Sequence, residues 1–395
     1  MTMTSRIKRF GMIGSLVALT LWYGAAAPGL AQADSLVDIP PLPSGVGEEL
    51  GHDINTVLDL VDEAGRLITQ TSLSLAVGDT YINQNNELYE IVAIEGSEAR
   101  VELRGQVEMP DVSDVFPLER TPTFLDRVVR ALPLQARSNR GTIAIYHSHG
   151  AESYEPTSGT AFDENGGDVL LVGQALKEAL ERQGYHVVFS DELHTPHDGG
   201  AYQRSRRTVA ELNQEANPVT MVDVHRDGVP DPNMYRTEVN GVPMTGVRLV
   251  VGRQNQNRDA NLEYAKRIKA IADEEYPNLI TGIFHAQGNY NQDFGPRMIL
   301  MEFGTHLTSL EEAQRSAELI ARVLPAAAGL APGTGAAAGS QIGQAALTTF
   351  YWLLGLAAVG TLAWLWMNRE GLGLDKYLRR LGIRGGDQGD RDNHE

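Results

Sequence analysis

The sequence has no cysteine among its 395 residues. Disulfide bonds and thiolate metal ligands are therefore excluded, because both require the cysteine sulfur. A metal in this protein can be held only by histidine, aspartate and glutamate side chains, all of which zinc accepts as ligands.

Basic residues are also scarce. Lysine and arginine together number 33 against 51 aspartate and glutamate residues, which gives a formal net charge of −18. Because nucleic-acid binding depends on a basic surface that matches the phosphate backbone, this balance argues against a nucleic-acid partner. The remaining composition, 42% hydrophobic and 21% charged, is typical of a globular protein with a large core.

The N-terminal residues 1–33 predict export. A basic start at residues 6–9 precedes an apolar run over residues 12–27, and an Ala-Gln-Ala sequence follows at 31–33. This order is typical of a secretory signal peptide with its cleavage site. An uncleaved N-terminal membrane anchor is the alternative, because the apolar run is fairly long.

Residues 345–367 predict a transmembrane helix. They carry no charge, include tyrosine and tryptophan near both ends, and exceed the roughly 20 apolar residues that a bilayer requires. Basic residues follow in 368–395, whereas 323–344 contains none. By the positive-inside rule, we expect a single-pass protein of the cell membrane, with 368–395 as its cytoplasmic tail and the large middle part extracytoplasmic.

Composition divides the middle part into folded segments and linkers. Stretches rich in proline and glycine alternate with segments of regular hydrophobic spacing. In chain order we predict a linker at 34–57, a small β module at 58–107, a connector at 108–140, a larger α/β domain at 141–324 and an Ala/Gly/Pro tether at 325–344.

Within 141–324, short apolar runs alternate with segments of helical periodicity. The runs predict strands at 142–149, 185–191, 219–224, 247–252 and 298–303, and the periodic segments predict helices at 168–182, 201–214, 260–274 and 309–323. Ser309, with Glu312 three residues later, predicts a capping box on the last helix. This alternation indicates an α/β fold with a mostly parallel five- to six-stranded sheet flanked by helices.

Three of the predicted strands carry possible metal ligands at or near their ends. His149 and Glu152 belong to the first, His225 to the third and Glu302 to the last. In an open α/β sheet the ligand site lies outside the carboxyl ends of the strands, so we expect these side chains to converge. His149, Glu152 and His225 would form a zinc site with one position open for water, and Glu302 is placed to act as general base and acid.

Two alternatives remain open from the residues alone. A histidine at a strand end is more often a hydrogen-bonded structural residue than a metal ligand. His147 and His149 also form an H-x-H pattern. On a strand, side chains two residues apart point to the same side, so both histidines would face one side of the sheet. That pattern occurs in two-metal amidohydrolases on TIM barrels, which need eight β/α units in about 250 residues, whereas 141–324 offers five or six strands.

Several segments resemble one protein family. The run YHSHGAESYEP at 146–156 resembles the YHTHTTESY-type motif of the stage II sporulation protein P family of N-acetylmuramoyl-L-alanine amidases. The resemblance continues through GAYQRSR, VDVHRDGV, NQDFGP and MEFGTHLTSLEEAQRSA, which begin at residues 200, 222, 291 and 301. It covers nearly all of 141–324, and GDTYINQNNELY at 78–89 is similar to the segment that precedes the catalytic domain in relatives.

The resemblance implies that 141–324 is a catalytic domain with a zinc amidase-like fold. It implies zinc-dependent hydrolysis of the amide between N-acetylmuramic acid and L-alanine in peptidoglycan. His149 and His225 match the family's metal ligands, and Glu302 matches its catalytic glutamate. Glu152 lies in the motif and is the favoured carboxylate ligand. Glu164 and Asp168 compete with Glu152, because other zinc amidases often take this ligand from just before the following helix.

Further assignments follow from the same resemblance. Arg204, Arg206 and Arg226 are candidates to bind the carboxylates of the stem peptide, with surface or intrasheet ion pairs as the equal alternative. His147 is expected to lie behind the metal ligands or to be structural rather than to bind the metal. His306 is expected in the same surroundings, where it could polarise the substrate, with a structural hydrogen bond as the favoured alternative.

The family implies a role in remodelling the septal wall during sporulation, in the process called engulfment. It also implies a partner, a lytic transglycosylase that acts on the glycan once its peptides are removed. The rival hypothesis from another class of protein is a non-catalytic scaffold that binds peptidoglycan with the same fold.

Overall fold

The computed structural model describes residues 56–115 and 141–330. The predicted segments at 1–33, 345–367 and 368–395 lie outside these ranges, as do most of the linker, of the connector and of the tether. In the part of the chain that is described, no helix is long and apolar enough to cross a membrane.

Among the described residues, eleven strands form one sheet and two more form a separate hairpin. In chain order the strands are β1 (Leu58–Val61), β2 (Leu67–Thr71), β3 (Thr80–Asn83), β4 (Glu87–Glu95), β5 (Glu98–Gln106), β6 (Thr142–Tyr146), β7 (His186–Phe189), β8 (Thr220–Asp227), β9 (Arg236–Val239), β10 (Val242–Thr245), β11 (Val247–Gly252), β12 (Ile280–Ala286) and β13 (Met298–Thr305). The large sheet has the order β2-β1-β5-β4-β3-β12-β11-β13-β8-β6-β7, and β9 pairs with β10.

Helices flank this sheet. They are α1 (Glu155–Ser158), α2 (Val169–Arg182), α3 (Ala201–Ala216), α4 (Arg258–Glu275) and α5 (Leu310–Ala327), with 3₁₀ turns at Pro232–Met234 and Gln292–Phe294. The predicted α/β class is therefore confirmed. The capping box is confirmed as well, because Ser309 Oγ accepts from Glu312 N while the Glu312 carboxylate accepts from Ser309 N.

The predicted five- to six-stranded sheet is wrong in its extent. Strands β12, β11, β13, β8, β6 and β7 do form a mostly parallel set, in which β11 and β13 are antiparallel. However, β3 pairs antiparallel with β12, with Asn83 opposite Gly282 and Ile82 opposite Ile283. Strand β12 is not among the strands predicted above, so the predicted sheet had no edge on which β3 could pair. The strands of residues 58–106 therefore continue the large sheet.

Alternate residues of a strand face opposite sides of the sheet, and this decides where the site lies. Val222 and Val224 of β8 belong to the core that includes residues of α2, α4 and α5, whereas Met221 packs with Val209 of α3. Asp223 and His225 lie two and four residues beyond Met221 and share its face. The α3 side of the sheet therefore carries the functional side chains of β8.

A half-buried histidine lies where β12 meets β3. His285 of β12 is paired with Thr80 of β3, and its Nε2 is buried without a hydrogen-bond partner among the described residues. Burial, with a smaller contribution from the charge of Arg253, lowers the pKa of His285 to about 4. The folded protein therefore keeps this imidazole neutral over a range in which an unfolded chain protonates it.

We expect His285 to make the protein less stable as the pH falls. Above pH 6.5 the imidazole is neutral in both states; between pH 6.5 and about 4 the unfolded chain binds a proton that the folded chain does not, so the free energy of unfolding decreases. Denaturant titrations across this range should show a smaller decrease for His285→Asn than for the unmutated protein. His186→Asn, which removes an exposed histidine of β7, is the control. Identical pH profiles for His285→Asn and the unmutated protein would contradict the prediction.

Candidate metal centre

Two of the predicted ligands come from the loop that follows β6. The strand ends at Tyr146, and His149 and Glu152 lie in the loop before α1, where Glu152 N donates to His149 O at 3.2 Å. The chain returns very close to this loop at Gly167, where an added Cβ would lie 2.1 Å from Glu152 O. Glycine is required at 167, because any side chain would displace the loop that carries Glu152.

The structure brings His149, Glu152 and His225 together. One ligand atom of each lies within 4.8 Å of the other two, and all three residues are buried. His149 Nδ1 lies 3.7 Å from Glu152 Oε1, and His225 Nδ1 lies 3.4 Å from Glu152 Oε2. Within 56–115 and 141–330, this is the one group of histidine and acidic side chains close enough to hold a metal.

The other ring nitrogen of His225 is held from behind. His225 Nε2 lies 2.9 Å from Asp223 Oδ1 and 2.8 Å from Ser148 Oγ. Ser148 in turn donates to Asp223 from its backbone N at 2.8 Å and from its hydroxyl at 2.6 Å. A carboxylate on the far nitrogen is the arrangement that orients metal-binding histidines. It leaves Nδ1 of His225 facing Glu152.

Charges within the cluster compensate one another. Burial alone would raise the pKa of Glu152, but His225 and Arg226 hold that pKa well below its usual value. Burial would lower the pKa of His225, but Asp223 and Glu152 raise it well above its usual value. Arg226 N also donates to Glu152 Oε2 at 3.0 Å. A divalent cation bound to these atoms would displace a proton from His225.

This donor set fits zinc. Two imidazoles and one carboxylate are the protein ligands of a known class of catalytic zinc sites, in which water takes the fourth position. The Asp223 carboxylate on the far nitrogen of His225 is also typical of zinc-binding histidines. Because the chain has no cysteine, a zinc ion here would have only nitrogen and oxygen ligands from the protein.

Glu302 lies beside His225 in the neighbouring strand. The two residues are paired in the β13–β8 register, so both side chains leave the sheet on the same face, and both are buried. Directly after Glu302 the register slips, so that Thr305 pairs with Asp227, and Gly304 adopts a φ of 80°. Bulges of this kind often lie next to active sites, where they change the direction of a side chain.

The two competing carboxylates lie outside the cluster. Glu164 is exposed, and its Oε1 accepts from His197 N at 3.2 Å. Asp168 Oδ2 accepts from Tyr154 N at 3.0 Å. Glu152 is thus the carboxylate that the structure brings to the two histidines.

His147 lies on the α2 side of the sheet. Its Nε2 is so close to Gly173 that a Cβ there would be 2.2 Å away, and its ring edge contacts Phe189. Burial lowers the pKa of His147 to about 4. The H-x-H pattern predicted that both side chains point to the same side of a strand. However, β6 ends at Tyr146, so strand alternation does not set the direction of His149. His147 and His149 are therefore not brought to one metal.

The other predicted site residues have partners inside the protein. His306 follows β13, and its N donates to Asp227 O at 3.2 Å. The three arginines also bond internally: Arg204 Nε donates to His194 O at 2.8 Å, Arg206 Nη2 to Asp293 Oδ2 at 2.8 Å and Arg226 Nη2 to Ala161 O at 2.9 Å. Binding of substrate by these arginines stays a prediction.

The structure adds two residues to those predicted from the sequence. His197 Nε2 lies 3.5 Å from Glu152 Oε1, and its ring centroid lies 4.5 Å from that of His149. No sequence pattern indicates this contact, because His197 lies in an irregular loop. Asp223 was detectable, since an acid two residues before a strand-end histidine shares its face.

We expect Asp223→Asn to weaken zinc binding. Asparagine keeps the size of the side chain but loses the charge behind His225, and the loss of such a contact typically lowers metal affinity by about 10- to 100-fold. Competition with a chromophoric chelator measures the zinc dissociation constant. Asp163→Asn, which changes an exposed acid of the nearby loop, should leave it unaltered. Equal affinities in both variants would exclude this role for Asp223.

Comparison with known proteins gives one family match. The family model described as stage II sporulation protein P (SpoIIP) matches residues 78–325, more than half of the chain. The stage II sporulation protein P of Bacillus subtilis (strain 168) is 30% identical over 229 residues, which are 53% of this chain and 57% of that protein. The chain thus matches somewhat more than half the length of this relative.

Solved structures of amidases show lower similarity. The CwlD amidase from Clostridioides difficile, solved in complex with the GerS lipoprotein, has 15% identity and a TM-score of 0.32 over 47% of this chain and 95% of that one. The N-acetylmuramyl-L-alanine amidase Ami1 from Mycobacterium smegmatis has 15% identity and a TM-score of 0.32 over 48% of this chain and 97% of that one.

Proposed function

We propose that this chain, which belongs to the stage II sporulation protein P family, is a zinc-dependent N-acetylmuramoyl-L-alanine amidase. It would hydrolyse the amide between the lactyl group of N-acetylmuramic acid and the first L-alanine of the stem peptide. The observation that carries the proposal is the buried group of His149, Glu152 and His225, with Glu302 paired beside His225.

The proposed mechanism gives each residue one task. His149 Nδ1, Glu152 and His225 Nδ1 would hold the zinc ion, which supplies a Lewis acid and a water of lowered pKa. The Glu302 carboxylate would accept a proton from the attacking water and deliver it to the nitrogen of the leaving amine. Asp223 would keep His225 in position through Nε2.

Access to this cluster is expected on the side of His197. The side chain of His197 is 9% exposed, whereas those of Glu152, His149 and His225 are 0% exposed. The ring of Phe162 packs against His197, with centroids 4.4 Å apart. A glycan strand would therefore approach past these two rings.

The cellular setting follows from the family and from the predicted ends of the chain. The enzyme would act outside the cytoplasm, anchored by residues 345–367, in remodelling of the septal wall during sporulation. A lytic transglycosylase would then act on the glycan from which the stem peptides have been removed. Peptidoglycan is the proposed substrate.

Glu302→Gln tests the proposed chemistry. Glutamine preserves the shape of the side chain but cannot take up the proton, and loss of a general base typically lowers the rate by about 10²- to 10⁴-fold. The full-length chain is assayed for bound zinc and for release of stem peptides from sacculi. We expect Glu302→Gln to keep zinc while losing activity, Glu152→Gln to lose zinc, and Glu164→Gln, the control, to keep both. An unmutated chain that binds no zinc and releases no peptide would favour the scaffold hypothesis.

The absence of cysteine allows a direct test of topology. Single cysteines introduced as Ser340→Cys and Asn393→Cys are the only thiols in their respective variants. In intact cells a membrane-impermeant maleimide should label Ser340→Cys, on the extracytoplasmic side, and should label Asn393→Cys only after lysis. Labelling of Asn393→Cys in intact cells would contradict the proposed orientation.

A further inference from the structure

Glu302 has a charged neighbour on each side in the sheet. It pairs with His225 of β8 in one direction and with Arg248 of β11 in the other. Residues directly opposite one another in adjacent strands project to the same face. Glu302 therefore stands in a row between an imidazole and a guanidinium, and all three residues are buried.

The guanidinium of Arg248 is held from two directions. Nη1 donates to Asp227 Oδ2 at 3.0 Å and to Gln70 O at 2.8 Å, and Nη2 donates to Thr69 Oγ1 at 2.9 Å. Asp227 belongs to β8, whereas Thr69 and Gln70 belong to β2. The N-terminal strands thus fix the arginine that lies opposite Glu302.

Aromatic rings surround Arg248. Its Cζ lies 4.5 Å from the ring centroid of Tyr235, 5.3 Å from that of Phe284 and 5.7 Å from that of Tyr81. Gly282, opposite Arg248 in β12, leaves room for Tyr81, because an added Cβ would lie 2.4 Å from that ring. The rings exclude water, which strengthens the electrostatic interactions of the guanidinium.

Asp227 completes this buried network. Its Oδ1 accepts from Ser72 N at 2.9 Å and from Ser72 Oγ at 2.7 Å, and its Oδ2 accepts from Tyr235 OH at 2.8 Å. Burial opposes the charge on Arg248, but Tyr235, Tyr81, Asp227 and Glu302 together raise its pKa. Arg248 therefore remains a cation, fixed in place, across the ladder from Glu302.

We propose that Arg248 is a positioning residue for Glu302, and that residues 69–72 hold Arg248 in place. The N-terminal strands are then part of the catalytic apparatus rather than an independent module. This inference rests on the proposed function, because it assigns a partner to the proposed catalytic glutamate.

Three variants of the full-length chain test the proposal. Arg248→Met removes the charge and the forked donors, so kcat should fall by about 10²-fold with KM and zinc content unchanged. Arg248→Lys keeps the charge but loses the paired N–H donors of the guanidinium, so its kcat should lie between those of Arg248→Met and the unmutated protein. Thr69→Val removes one bond of Arg248 and should lower kcat by less than Arg248→Met does. The rate is peptide release from sacculi.

Arg253→Met is the matched control. Arg253, directly after β11, also contacts the N-terminal part of the sheet, because its Nη2 lies 2.6 Å from Oδ1 of Asp79, directly before β3. Unlike Arg248, it is not opposite Glu302. Its loss should lower thermal stability while leaving kcat unchanged. An equal fall in kcat for Arg253→Met would mean that any loosening of these strands reduces the rate, and would overturn the role given to Arg248.

A double-mutant cycle separates positioning from general stability. If Arg248 acts through Glu302, adding Arg248→Met to Glu302→Gln should cause no further loss of rate. Losses that multiply would overturn the proposal, and so would an unchanged kcat in Arg248→Met. If Arg248→Met does not fold, Arg248→Lys and Thr69→Val replace it in the same cycle. Zinc content and activity of the unmutated chain decide the proposed function separately.

Discussion

The buried carboxylate of Glu152 is the constraint on which the rest of the site depends. An uncompensated charge at such a position costs several kcal/mol, so the surrounding chain must supply positive charge and hydrogen bonds. Arg226 and His225 supply the charge. Arg226 also donates to Ser153 O, in the loop that carries Glu152, and to Ala161 O, just after α1. The residue that neutralises the carboxylate therefore also fixes the loop that presents it.

The same requirement extends along β8. Asp223, His225 and Asp227 lie on one face of this strand, and their partners come from separate parts of the chain. The loop after β6 contributes Ser148, which donates to Asp223, and Glu152, which faces His225. Ser72, from the N-terminal part of the chain, and Arg248 of β11 donate to Asp227. Strand β8 is thus where three distant segments meet. The geometry of the candidate site therefore depends on the correct packing of these segments against β8.

Local patterns made part of this structure predictable. The capping box at Ser309 depends on four consecutive residues. His149 and Glu152 follow the end of β6 and His225 lies near the end of the parallel strand β8, so their convergence could be expected. Strand β12 contains Ile280, Ile283 and Phe284, which favour a strand, but no local pattern indicates that it pairs with β3, far away in the chain. The contact of His197 with Glu152 and the position of Arg248 are likewise set by packing, so sequence spacing alone could not indicate them.

The pairing of β3 with β12 has a consequence for how the protein folds. Tyr81 OH donates to Thr281 O across a separation of 200 residues. During synthesis, β1–β5 emerge long before β12 exists, and until then the edge of β3 has unpaired backbone groups that attract other strands. Closing so long a loop is entropically costly and slows folding. The edge of β3 is therefore open to pairing with other chains while the protein is being made.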